Sequence, residues 1–424
     1  MMESENRRST PSPHRLRVLA TMFFVGMLLV YASIAPRVYR QMAGGNADFS
    51  NFYTAGKILR LGQWGQLYDL ALQTRVQSEF SEGAATRNKA LPYMRPPCEA
   101  LLFLPLSYLS FRDAYLVWVL ASTMLALGTA SFIRSSVPAL GTIPNWLYYP
   151  SFFAFYPLVF SFALGQDAAL MSLLFAVVIA ARLQGKDFRA GLVLGIALIK
   201  FQLVLPLVLV LFLKKQFRSL AGFVLSGAIL VTVSLGVVGF RGLAAYPEYL
   251  LGLNAKGAGA AIYPSVMPSL RGLVEGWIDP KHPRIGLDLV TLVLTLGLLI
   301  WAARQWRTDL PRGSEAATSG FAVIFLATLL SGYHEFIYDL SVLFPVILLG
   351  LVTAWQTAQT AQTDRTTRWM LALGAGALLF PPLYFLLLVK AQLNLMAIPL
   401  LVLMVGFSRL SKHGNPHAFT AQPC

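Results

Sequence analysis

The chain has 424 residues, of which 56% are hydrophobic and only 12% charged. A mean hydropathy of +0.61 excludes an ordinary soluble globule, and the formal charge of +15 bears on membrane orientation and anionic headgroups, not nucleic acid. Only helices and closed barrels satisfy the backbone in lipid, and the apolar runs here are long instead of alternating, so the expectation is all-α: a polytopic membrane bundle of about twelve transmembrane helices.

In chain order, residues 1–16 read as a basic cytoplasmic tail, "MMESENRRSTPSPHRL". The apolar run from Val18 to Ala35 exceeds the apolar region of a signal peptide and is expected as an uncleaved first span, near 17–35, ending at Pro36. Further spans are expected near 114–133, 146–163, 167–183, 190–200, 203–213, 219–239, 286–303, 317–331, 338–355, 368–388 and 393–409, the short ones as packed or broken helices. A second cytoplasmic tail, 410–424, closes the chain after a membrane domain of 17–409.

That domain contains two long outer segments, 36–113 and 240–285, and loops of such length usually carry function. In the first, "NFYTAGKILRLG" and "LYDLALQTRVQSEF" read as amphipathic helices lying on the membrane surface. "EALLFLPLSYLS", from Glu99, is too short to cross and is expected as a half-embedded helix. With the N-terminus inside, the inner connections hold Arg134, Arg182, Lys186, Lys214, Lys215 and Arg312, while the short outer ones hold only Lys200 and Lys390, as the positive-inside rule requires. Cys98 and Cys424 lie far apart and show no metal or redox spacing; His413 and His417 fall in a polar tail.

Polar residues gather at the outer level. Asp48 follows the first span; Gln166 and Asp167 occupy the turn before the fourth; Lys200 and Gln202 mark the tip between two short helices. His334, Glu335, Tyr338 and Asp339 stand where the ninth span meets the tenth. Ionisable groups near spans are expensive unless they face a cavity or a partner, so each is a functional candidate. Six of them also have a plainer use: Asp48 and Gln166 as helix caps, Asp167 on a helix dipole, Lys200 reaching headgroups, Tyr338 as an interfacial anchor, His334 as a polar contact between helices. No Walker loop, dinucleotide fingerprint or zinc spacing occurs.

"DFSNFYTAG", "LYDL", "YMRPPCEALLFLPLSYL", "GQDAAL", "AGLVLGIALIKFQLVLP" and "YHEFIYDLSVLFP", in that order from about residue 47 to 350, resemble glycosyltransferase family 87, of the GT-C fold. That family includes mannosyltransferases and arabinofuranosyltransferases that use polyprenyl-phosphate sugars. The resemblance implies an inverting transfer from such a donor, with Asp48 as catalytic base and His334 in the family's late outer segment. Tyr333-His334-Glu335 stands where many members carry a doubled histidine after tryptophan.

The chemistry asks for a carboxylate to take the acceptor's proton and for cations near the leaving phosphate. Asp48 is the candidate base, and Lys200, Arg95 and Arg271 are the candidate phosphate contacts. Gln166, Asp167, Gln202, His334, Tyr338 and Asp339 are candidate substrate contacts, and Tyr53, with Tyr93 and Tyr263, could stack on sugar. The expected partners are the lipid-linked donor, a lipid or glycan acceptor and membrane lipids, with no nucleic acid, metal or cofactor. The expected location is a bacterial inner membrane, with the site on the outer, periplasmic side. A transporter or flippase of lipid-linked saccharides, or another polyprenyl-lipid enzyme, is the competing reading.

Overall fold

The computed structural model describes residues 13–81, 83–84, 90–255, 263–278, 285–312, 314–360 and 363–413. The tails at 1–12 and 414–424, with His417 and Cys424, and two stretches of the second long segment, 256–262 and 279–284, lie outside them. The protein is 83% helical, and no strand occurs among the described residues.

Helix α1 (Pro13–Gln41) starts on a proline, whose missing N–H is no loss in a first turn. It begins before the expected residue 17, and Pro36 does not end it: the helix runs on to Gln41 and a wide turn, Met42–Asn46. A proline removes one donor, and near the polar end of a span that loss is tolerated. Gly45, at φ +86°, then turns the chain toward the bundle, where its carbonyl accepts from Ser50 and Ser81, each at 2.9 Å.

Helices α2 (Phe49–Arg60) and α3 (Leu70–Ser78) overlap the two amphipathic stretches, and α2 is buried against protein on most of its surface. Phe49, Phe52, Ala55, Ile58 and Leu59 are all buried, packed with Phe103, Phe111, Tyr115 and Trp118. A Cβ on Gly56 would come within 2.4 Å of the Phe103 carbonyl, so the bare backbone sets that approach. Amphipathic spacing specifies that one face is buried; it does not say whether lipid or protein buries it. The half-embedded segment is a stub, Ala100–Phe103, followed by a tight turn that Pro105 opens.

The bundle continues with α4 (Phe111–Ser136), α5 (Asn145–Phe153), α6 (Tyr156–Leu164), α7 (Ala168–Leu183), α8 (Asp187–Ile196), α9 (Phe201–Leu213) and α10 (Phe217–Ala255). The short α11 (Leu270–Glu275) precedes α12 (Ile285–Gln305), α13 (Glu315–Leu330), α14 (Phe344–Thr360), α15 (Arg365–Leu378), α16 (Pro381–Val389) and α17 (Ala397–His413), the last passing the expected boundary at 409. Among the described residues, 7 helices are long and apolar enough to cross, or up to 9 if the bent pairs α5–α6 (46°) and α15–α16 (63°) each count as one. The count of twelve adds α7 and α13, each of 16 residues, and splits Asp187–Leu213 in two.

Contacts at its ends support that split. Arg182 donates to Asp187 at 2.7 Å, Gln216 at 3.1 Å and Ser219 at 3.2 Å. A straight helix over the 27 residues of Asp187–Leu213 would part its ends by about 40 Å, so both cannot meet Arg182 unless the segment doubles back. It turns at Lys200, whose backbone (φ −123°, ψ 66°) leaves the helical range. Helix α8 then lies along the start of α10, where a Cβ on Gly191 would sit 1.9 Å from the Ser219 carbonyl and one on Gly222 2.2 Å from that of Phe188. Such small-residue seams hold membrane helices together. Gly191→Ala should therefore lower the thermal midpoint in detergent by the equivalent of about 1–3 kcal/mol, while Gly26→Ala, which meets nothing within 4 Å, leaves it unchanged. An unshifted midpoint for Gly191→Ala would show that the seam opens freely.

Helix α14 runs through the middle of the bundle and α1 along its rim: the apolar window of the α14 region is 94% buried, that of α1 only 6%. Arg134, Arg182, Arg312 and Arg409 make their contacts at one end, among Gly141, Asp187, Gln216 and Asp364. The carboxylates and amides named above collect at the other.

Candidate active site

Five separate pieces of chain build that second end: the Gly45 turn, the loop from 92 to 99, the α6–α7 turn, the α8–α9 tip and residues 333–339. Gly165 closes α6 at φ +64°. A Cβ there would stand 2.7 Å from that of Phe49, and the Gly165 carbonyl accepts from Trp118 Nε1 at 2.9 Å. This turn is thereby locked onto the head of α2, and it delivers Gln166 to Asp48.

Asp48 holds the N-cap position of α2, yet its side chain caps nothing. Its Oδ2 accepts from Gln166 Nε2 at 2.8 Å, and its backbone carbonyl accepts from Asn51 Nδ2 at 2.6 Å. Asp167, at the N-cap of α7, likewise makes no cap. Its Oδ1 accepts from Arg95 Nη2 and from Lys200 Nζ, both at 3.0 Å. Lys200 is only 1% exposed and pairs also with Asp339, whose Oδ2 accepts from the Phe336 N–H at 3.0 Å. Its ammonium lies 4.9 Å from the centre of the Tyr338 ring. Reaching out to headgroups is therefore not what Lys200 does.

Two buried cations thus stand among several carboxyl groups, and the surroundings sort those groups. Asp167 is paired by both Arg95 and Lys200. Burial pushes Glu99 up to about 8, against the pull of Arg95, and lifts Glu335 well above the carboxylate range with help from Asp339. Asp48, half-buried at its surface, is raised by desolvation against Gln166, Arg95 and Lys200. Burial, and then Arg271, lower His334 to about 4, so its imidazole is neutral.

Above this layer lies a cavity of about 460 Å³. Asn51, Phe52, Arg95, Gln166, Gln202, Tyr333, His334, Phe336 and Tyr338 line it, and Pro247, Leu250, Leu251 and Leu253 form an apolar wall. The size suits a small ligand, and the mixture of convergent polar groups with an apolar wall suits an amphiphile. Arg95 Nη2 reaches Gln166 Oε1 at 3.5 Å, so one amide spans the gap between the cation in the wall and the carboxylate of Asp48.

The other candidates divide. Gln202, His334 and Tyr338 line the cavity, whereas Asp167, Lys200 and Asp339 sit behind its surface. Arg271 is buried a layer further back, its guanidinium 3.8 Å from the Tyr333 ring centre and its Nε 2.9 Å from Glu275. Tyr53 is a correction: its hydroxyl donates to the Leu109 carbonyl at 2.8 Å, and its ring packs against Phe80 and Phe111 in the core. Tyr93 is buried, with its hydroxyl on the Pro96 carbonyl and Glu99; Tyr263 is exposed and lines no part of the cavity. Glu99 and the wall of α10 were not anticipated. Arg95 and Glu99 pair at 3.9 Å although Arg95 lies ahead of the helical turn that Pro97 opens, so no helical spacing in the sequence signals the contact. Among the described residues no group of three or more His, Cys, Asp or Glu is arranged to hold a metal ion.

A model of glycosyltransferase family 87 matches residues 93–332, more than half of the 424. No curated protein and no solved structure matches the chain. The matched stretch contains Arg95, Gln166, Asp167, Lys200, Gln202 and Arg271; Asp48 lies before it and His334, Tyr338 and Asp339 after it, joined to it by the contacts above. This chain belongs to glycosyltransferase family 87, and it is a multi-pass membrane glycosyltransferase.

Proposed function

We propose that the protein moves a sugar, mannose or another hexose or pentose, from a polyprenyl-phosphate donor to a lipid or glycan acceptor, with inversion, at the outer face of a bacterial inner membrane. The observation that carries this reading is the shared amide of Gln166, which links the carboxylate of Asp48 to the cation of Arg95 at the edge of one amphiphilic cavity. The acceptor oxygen attacks the anomeric carbon, its proton passes to Asp48, and the bond from that carbon to the phosphate oxygen breaks. Polyprenyl phosphate leaves, its developing charge met by Arg95, with the amides of Gln166 and Gln202 as hydrogen-bond donors. The neutral imidazole of His334 and the Tyr338 ring contact the sugar, and the leucines of α10 face the first prenyl units.

Lys200 and Arg271 take a different part from direct phosphate contact. Lys200 holds Asp167 and Asp339 in place, and Arg271 backs Tyr333. The basic residues at the opposite end support the outward orientation of the site. A transporter of lipid-linked saccharides would need polar groups open to both sides in turn, whereas these gather at one end.

Purified protein incubated with a panel of radiolabelled polyprenyl-phosphate sugars and native lipid extract tests the reading. Label is expected in a new glycosidic bond for one donor. Movement of intact lipid-linked saccharide across vesicles, with no new bond, would establish the transporter instead.

A further inference from the structure

Arg95 stands in a stretch, residues 90 to 96, that has no helix or strand to fix it. Its carbonyls are instead taken one after another by tyrosine hydroxyls from elsewhere in the chain. Tyr249 donates to the Tyr93 carbonyl at 3.1 Å, Tyr246 to that of Met94 at 2.8 Å and Tyr68 to that of Arg95 at 2.8 Å. The Tyr68 ring centre lies 4.8 Å from that of Tyr246 and 4.9 Å from that of Tyr249. Gln73 completes the hold by accepting from the Tyr93 N–H at 3.0 Å. Buried carbonyls need partners, and packed rings leave hydroxyls, not water, to supply them.

Tyr246 and Tyr249 lie beyond Gly239, which breaks α10 at φ +72°, ψ 175°. The same stretch offers Pro247, Leu250, Leu251 and Leu253 to the cavity. One helical extension therefore carries hydroxyls toward the loop of Arg95 and, on a neighbouring face, apolar side chains toward the ligand space.

We propose that Tyr246 and Tyr249, together with Tyr68, are positioning residues that hold Arg95 in the cavity wall, and that their place on the α10 extension ties this hold to an apolar chain lying against Leu250 and Leu251. The consequence for transfer rests on the donor reading above; the consequence for the loop does not. Each hydroxyl-to-carbonyl bond shifts the population of the held loop by about fivefold, so two together give on the order of thirtyfold.

The test uses the full chain in phospholipid nanodiscs, with Tyr246→Phe, Tyr249→Phe and the pair, which keep the rings and remove the hydroxyls. Amide exchange in the peptide over 90–99 should quicken at least tenfold in the double variant, with exchange in the helices away from this loop changed far less. Affinity for undecaprenyl phosphate, the probe, should fall about tenfold, and kcat should drop by more than KM rises, because the lost alignment matters most as the phosphate leaves. Tyr108→Phe, at an exposed ring, should change none of these. Unchanged exchange over 90–99, or faster exchange with wild-type probe affinity, would overturn the proposal. Should the wild type transfer no sugar from any donor, the donor reading fails while exchange and probe binding still decide the clamp.

Discussion

Asp48→Asn is expected to lower kcat by a factor on the order of 10² to 10⁴, the range a positioned general base contributes, while the protein still inserts and keeps its thermal midpoint. Asparagine retains an oxygen that can accept from Gln166, so the link to the α6–α7 turn survives and only the basic oxygen is lost. Capping cannot substitute as an explanation, because the Asp48 side chain caps no helix. Transfer kinetics against the best donor decide the point, and a variant retaining a third or more of wild-type kcat would remove Asp48 as the base. The pH profile supplies a second measure. A base works only when ionised, and burial lifts this carboxyl above the ordinary aspartate value of about 3.9. The acid limb of kcat/KM should therefore lie above that value and vanish in Asp48→Asn; His334, lowered to about 4, stays neutral across the working range.

Asp167→Asn has the largest expected effect on stability. Asp167 is the shared counter-ion of Arg95 and Lys200, each 3.0 Å away and all three buried. Removing one partner from a buried ion pair costs about 3–5 kcal/mol, because the charge left behind is neither solvated nor paired. Lys200 keeps Asp339, so the lower end, about 3 kcal/mol, is expected, read as a lower midpoint and poorer yield from the membrane. Asp339→Asn should be destabilising too, and the double variant should depart from the sum of the singles, since both act on one ammonium. A strictly additive pair of small effects would mean that the charges are solvated and that the network does not hold the site together.

The backbone of this fold was legible because membrane chemistry writes in long strokes. Apolar runs mark helices, the doubling back at Lys200 shows as a short run interrupted by a lone lysine, and the break at Gly239 falls where a span was expected to end. The gathering of Asp48, Gln166, Asp167, Lys200 and Asp339 at one end follows from the alternating direction of successive spans. Legibility failed where one pattern serves two environments. The spacing of α2 suits a helix half in lipid as well as one packed on Phe103 and Trp118, and only the second occurs. Tyr53 shows the same ambiguity, since an aromatic ring beside an acid suits sugar or core equally. Lys200 and Arg95 read as free cations because carboxylates at 167 and 339 are distant in sequence. The leucine wall of α10 and the tyrosine hold on residues 93–95 depend on how the chain leaves Gly239, a conformation that a lone glycine does not specify.

The central claim is that one cavity brings a lipid-linked phosphate to Arg95 and the acceptor to Asp48. A cryo-electron microscopy structure of the protein in nanodiscs with bound undecaprenyl phosphate tests this most directly. The account predicts phosphate density within hydrogen-bond distance of Arg95 and the Gln166 amide, with the prenyl chain along Leu250 and Leu251. Phosphate density at the opposite, basic end of the bundle, with the cavity beside Gln166 occupied by protein side chains, would contradict it.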